Sequence, residues 1–162
     1  MPALPPRTVW LRKGFTLVEL IAVIAITSII AVMAMTRFVG PSQFAVQGTA
    51  DQLAATLRQA QTLARAQRVT VYVVLTAQPA KAQVCLDAAC AQPLEGPAGV
   101  ANWLRDADTV KLSAATGLNF DSQGRPSNGS TLQWQAQSLD GSISSQFVRL
   151  EPVTGHITVT TL

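Results

Sequence analysis

A carboxylate inside an otherwise apolar run is the residue in this sequence with the most chemistry to explain. From Phe15 to Met35, 21 residues, the only polar side chains are Thr16, Glu19, Thr27 and Ser28. As a helix rising about 1.5 Å per residue, this run reaches roughly 31 Å, the thickness of a bilayer's hydrocarbon. An ionised Glu19 held in that medium costs about 2.5–3.5 kcal/mol on the insertion scale, so it needs a cation. None of the residues around it is basic, but Lys13-Gly14 lies immediately upstream. Scission between Gly14 and Phe15 creates an α-amine on Phe15, one helical turn from Glu19 in the same chain and within reach of a neighbouring copy's carboxylate. A plain single-pass anchor, cytoplasmic at its Arg12-Lys13 flank, accounts for the apolar run but leaves Glu19 without a role. A secretory signal peptide, with a small-residue site at Val32-Met33-Ala34, requires a shorter run without Glu19.

The remaining chemistry is sparse. Cys85 and Cys90 are the two cysteines, close enough in sequence for a short disulfide loop in an oxidising compartment. With one histidine, His156, and no further cysteine, they do not make a zinc site. There is no Ser-His-acid arrangement, no phosphate-binding glycine motif and no metal cluster, so the sequence predicts no catalytic residue, no cofactor and no metal. The formal charge of +3 comes from 12 Lys and Arg against 9 Asp and Glu. Arg7, Arg12 and Lys13 precede the cut, and without them the balance is neutral, which argues against a nucleic-acid partner. Trp103 and Trp134 read as core or interface anchors.

The elements around these groups follow from periodicity. Residues 1–14 hold Pro2, Pro5 and Pro6 and read as an unfolded leader. A transmembrane helix is predicted over 15–39, broken at Gly40-Pro41, and residues 40–162 form one soluble domain. Helical pattern resumes near Phe44. Ala50, Leu53, Ala54, Leu57, Ala60 and Ala64 mark one buried stripe flanked by Leu63, with Arg58, Arg65 and Arg68 on a solvated side. Period two follows: Val69, Val71, Val73 and Leu75 share one strand face, and Gln83–Asp87 returns across Gln78-Pro79-Ala80-Lys81. Pro93–Gly99 reads as loop, and Trp103–Leu112 is ambiguous between a short helix and an irregular connection. Strands are predicted at Leu118–Phe120, Thr131–Ala136, Phe147–Leu150 and His156–Thr161, with turns at Asp121–Pro126, Asp140-Gly141 and Thr154-Gly155. Four or five antiparallel strands against one amphipathic helix make an α+β domain.

The segment Lys13-Gly14-Phe15-Thr16-Leu17-Val18-Glu19-Leu20 resembles the processing site of type IV pilins and type II secretion pseudopilins. Phe120-Asp121, Gly124-Arg125-Pro126, Thr131-Leu132 and Thr154-Gly155-His156-Ile157 look like the domain of the GspH/FimT family of minor pilins and pseudopilins. Arg37-Phe38, Gly48 and the stretch Leu53–Arg68 are similar to minor pilins of mannose-sensitive haemagglutinin-type pili. The resemblance implies a type IV pilin-like fold, with a long N-terminal helix packed on an antiparallel sheet. It also implies cleavage between Gly14 and Phe15 by a membrane-embedded prepilin peptidase, N-methylation of Phe15, and subunit assembly through Glu19.

Implied partners are other pilins through the N-terminal helix, the peptidase and N-methylase, and an inner-membrane assembly platform; no small-molecule substrate is implied. The implied location is the bacterial inner membrane, single-pass, with the C-terminal domain in the periplasm until it enters a filament. A subunit that primes a type IV pilus is the first reading, and a minor pseudopilin of a type II secretion system is the second. The third is a FimT-like DNA-binding pilin for DNA uptake, for which Arg125 and Arg149 are the candidate contacts. Relatives carry a proline at the position of Thr36 and a glycine near Ser28. Their absence predicts a more continuous helix from Phe15 to Val39.

Overall fold

The computed structural model describes residues 16–35, 41–105, 107–114, 117–140 and 145–161. The chain divides into two compact units, Met1–Phe38 and Val39–Leu162. In the first, α1 runs Leu17–Met35. The expected continuous helix from Phe15 to Val39 takes in Phe15 and residues 36–39, which lie outside the described residues.

The second unit begins with α2, Pro41–Gln67. Proline is well placed at its first position, where the missing N–H has no helical partner to lose. The helix therefore starts three residues before the apolar pattern at Phe44 suggests. It ends where Arg68 turns into the left-handed region at φ 56°, a place more often given to glycine. Val46 and the whole expected stripe, Ala50, Leu53, Ala54, Leu57, Ala60 and Ala64, are fully buried, with Leu63 packed at the margin. Alanines on that stripe bring the helix close to the strands beneath it. Thr49 and Thr56 are buried on α2 as well, and their hydroxyls donate to the carbonyls of Ala45 and Gln52, both at 2.8 Å. Neither leaves an unpaired polar atom in the core.

Among the described residues seven strands follow: β1 (Val71–Thr76), β2 (Lys81–Cys85), β3 (Val110–Leu112), β4 (Leu118–Phe120), β5 (Leu132–Ser138), β6 (Ser145–Leu150) and β7 (Ile157–Thr161). They form two antiparallel sheets, ordered β2-β1-β4 and β3-β5-β6-β7. Among the described residues the expected four or five antiparallel strands become seven, in two sheets. The one strand at a position where none was expected, β3, lies inside the stretch that periodicity left ambiguous. It is too short to show alternation, and it is held by pairing with β5 and by the β1–β2 turn. There Ala80 N–H donates to Val110 O at 3.1 Å and Leu112 N–H to Ala77 O at 2.9 Å. β2 starts at Lys81 instead of Gln83, because the connection from Thr76 is tight enough to pair these two residues. Val69 is not on the β1 face: it precedes the strand and is exposed, since Arg68 has just redirected the chain. β6 starts two residues before Phe147, and Gly141 of the expected Asp140-Gly141 turn lies outside the described residues.

Alternation holds elsewhere. Val71, Val73 and Leu75 of β1, Trp134 and Ala136 of β5, and Val148 and Leu150 of β6 all face α2's side and are buried. Among the described residues every member of the hydrophobic core belongs to the second unit, which carries a core of its own.

Candidate functional site

Residues singled out by sequence gather at the start of α1 and where α2 meets the turns of the sheets, while Arg149 on β6 and the Cys85–Cys90 pair lie apart from both.

α1 opens on a cap. Glu19 N–H donates to Thr16 Oγ1 at 3.2 Å, and Leu20 N–H donates to Thr16 O at 3.1 Å. Thr16 thus stands just before the helix and Glu19 three residues on, the spacing of a capping box. The signal was present in Thr16-Leu-Val-Glu19, although Glu19 reads first as a charge in search of a cation. In the first turn a carboxylate lies at the positive end of the helix dipole, an interaction of about 0.3–1 kcal/mol where exposed. Gly14 and Phe15 themselves lie outside the described residues.

Beyond the cap, α1 is apolar on all sides. Nine large side chains (Leu17, Val18, Leu20, Ile21, Val23, Ile24, Ile26, Ile29 and Ile30) are exposed. Its hydroxyls are satisfied internally: Thr27 donates to Val23 O at 2.8 Å and Ile24 O at 3.0 Å, and Ser28 to Ile24 O at 2.7 Å. Such a helix asks nothing polar of its surroundings past the first turn. Among the described residues no helix is long and apolar enough to cross a membrane. α1 has 19 residues there, about 28 Å, slightly below a typical hydrocarbon thickness of about 30 Å.

On α2, Arg58, Gln61 and Arg65 form one row at helical spacing. Arg58 Nη2 donates to Ile157 O at 2.9 Å, Gln61 Nε2 to Gly124 O at 2.8 Å and Gly155 O at 3.5 Å, and Arg65 Nε to Gln123 O at 3.1 Å. The expected solvated face holds, since Arg58, Arg65 and Arg68 are all exposed, but two of the three also bond across to other segments. Their acceptors are carbonyls of distant segments, which no local pattern reveals. Gly124 and Gly155 both have positive φ, 73° and 64°. A Cβ at Gly124 would run into the Arg65 side chain and one at Gly155 into Gln61. This packing gives a physical reason for the Gly124-Arg125-Pro126 and Thr154-Gly155-His156 motifs: each presents a bare carbonyl to α2.

The candidate DNA-contact arginines each sit beside an acid. Arg125 Nε is 3.8 Å from Asp121, and Arg149 Nε is 2.9 Å from Glu151. Asp121 Oδ1 accepts the backbone N–H of Arg125 at 2.8 Å and of Gln123 at 2.9 Å. These bonds, the Arg125 N–H foremost, together with the nearby guanidinium, hold the Asp121 carboxyl below its ordinary range. His156 is exposed, and its backbone N–H donates to Thr154 Oγ1 at 3.2 Å.

Cys85 and Cys90 are bonded to each other, their Cα atoms 5.2 Å apart. Cys85 ends β2 in the core, while the returning chain runs along that strand's edge, with Leu94 N–H donating to Val84 O at 2.7 Å. Trp134 is buried, and Trp103 is nearly so, donating from Nε1 to Leu94 O at 3.0 Å. Among the described residues no three His, Cys, Asp or Glu side chains gather to hold a metal.

Residues 11–35 match the prokaryotic N-terminal methylation motif. Two crystal forms of the Pseudomonas aeruginosa (strain PAO1) type IV minor pilin FimU share the fold. The first has a TM-score of 0.56 at 18% identity, covering 71% of this chain and 87% of FimU. The second has a TM-score of 0.55 at 18% identity, covering 70% and 91%. No curated protein matches the sequence. The chain thus joins an N-terminal methylation motif to a type IV pilin-like fold. Neither match bears on the narrower likeness to mannose-sensitive haemagglutinin-type pilins.

Proposed function

We propose that this chain is a minor pilin of a type IV pilus-like filament, processed at its N-terminus and taking part in assembly or priming. The methylation motif over residues 11–35 carries the reading, because it takes in a capped helix with Glu19 in its first turn and exposed apolar side chains beyond it. A prepilin peptidase cuts between Gly14 and Phe15, and the new Phe15 amine is methylated. The helix over residues 15–39 anchors the subunit in the inner membrane, with the domain over 40–162 in the periplasm, where a Cys85–Cys90 disulfide is permitted.

In the filament the exposed surface of α1 is covered by the corresponding helices of other pilins. Glu19 is then neutralised by a neighbour's Phe15 amine. Such a buried pair fixes register more than it adds stability, since desolvation offsets much of the Coulomb attraction. The α2–sheet unit is the part the fibre displays.

Mass analysis of the native protein's N-terminus tests the reading directly. A methylated Phe15 is expected; a protein in the envelope that retains its first fourteen residues overturns it.

A further inference from the structure

The two sheets have four edges, and three are closed by the chain itself. Along β2, Leu94 N–H donates to Val84 O, Trp103 N–H to Ala82 O at 2.8 Å, and Asn102 Oδ1 accepts Ala82 N–H at 3.1 Å. β4 is closed by the bridge of Phe120 to Pro126 and by Ser127 N–H donating to Asn119 O at 3.0 Å. β3 is closed by the turn between β1 and β2. The fourth edge, β7, is different.

Glu151 N–H donates to His156 O at 3.0 Å, which directs that carbonyl toward β6. Antiparallel alternation then turns the main-chain groups of Ile157, Val159 and Thr161 away from β6. Arg58 takes Ile157 O on that outer side. Among the described residues the main-chain groups of Val159 and Thr161 have no partner there. β7 also lacks the devices that blunt a free edge, having no lysine, proline, bulge or inward charge.

We infer that the β7 edge is a strand-addition surface that receives β7 of a second copy of this chain. The segment Thr158-Val159-Thr160 reads the same in both directions. An antiparallel partner centred on Val159 therefore sets Val159 against Val159, Thr158 against Thr160, and Ile157 against Thr161. Outward-facing groups meet in hydrogen-bonded pairs, uncharged threonines face each other on the solvent side, and no like charges oppose. Joining the edges turns two four-stranded sheets into one continuous sheet. Ile157 O is already taken by Arg58, so the groups open to an incoming strand are those of Val159 and Thr161. This inference is independent of the filament reading, because the whole edge lies in the unit with its own core.

Sedimentation velocity of residues 41–162 at rising concentration tests it. A shift from monomer to twice the monomer mass is expected. A protein that stays monomeric throughout overturns the inference. Two variants then read the register. Thr158→Glu with Thr160→Glu places carboxylates opposite each other across the new contact and should abolish the dimer. Thr158→Glu with Thr160→Lys places opposite charges there and should restore it. Both carry the Thr158→Glu carboxylate opposite Arg149 of β6, so each should fold, as circular dichroism can verify. Equal association of the two variants also overturns the inference, since the contact is then elsewhere.

Discussion

Arg58 reaches from the middle of α2 to the carbonyl of Ile157, 99 residues along the chain, with its Nη2 at 2.9 Å. With Gln61 and Arg65 in the same row, it fastens the helix to the last strand and to both glycine turns. The second unit is therefore held by its apolar stripe beneath and by a polar row along the helix flank.

That row makes Gly124 a sensitive position. Gly124→Ala puts a side chain at φ 73° and into Arg65, so stability should fall by about 1–3 kcal/mol. Gln61→Ala leaves the Gly124 carbonyl without its donor and should cost about 1–2 kcal/mol. Urea unfolding of residues 41–162 measures both, and wild-type midpoints for the two variants would remove the row's structural role.

Asp121 should leave a mark on acid stability. Its folded-state carboxyl titrates below its unfolded value, so its contribution is fully present above the unfolded pKa of about 3.9 and is lost as pH falls through the lower folded value. Asp121→Asn should flatten that acid limb and leave the neutral-pH profile's shape unchanged. Thermal melts across pH 2–6 (roughly the span in which carboxylates titrate) supply the comparison.

The Cys85–Cys90 bond closes a small loop, for which chain-entropy arguments give about 2 kcal/mol. Native protein should weigh two hydrogens less than the reduced form, and reductant should lower its melting point. Two free thiols in protein taken from the periplasmic side would count against the proposed compartment.

At the other end of the chain, Glu19→Val should leave the protein in the membrane yet reduce its share in sheared filaments. Thr16→Ala removes only the cap, loosening the first turn by about 0.5–2 kcal/mol, while Thr16→Ser should restore it. Fractionation and blotting distinguish the two kinds of loss. Normal filament levels with Glu19→Val would rule out the ion-pair role.

Local periodicity sufficed wherever one stretch of chain decides its own outcome. The α2 stripe is set by apolar residues every three or four positions, and β1, β5 and β6 by alternation, because each element's burial repeats with its own geometry. The methylation motif over residues 11–35 was legible for the same reason, since it lies in one short stretch of chain. Tertiary structure alone decided the rest. It separated the strands into two sheets, enlisted the three-residue β3, made latches of the exposed Arg58 and Arg65, and left β7 as the edge that none of the described residues pairs along its length. Those outcomes depend on carbonyls and edges brought together from positions tens of residues apart, and a hydrogen-bond acceptor on the main chain has no signature in the identity of its residue.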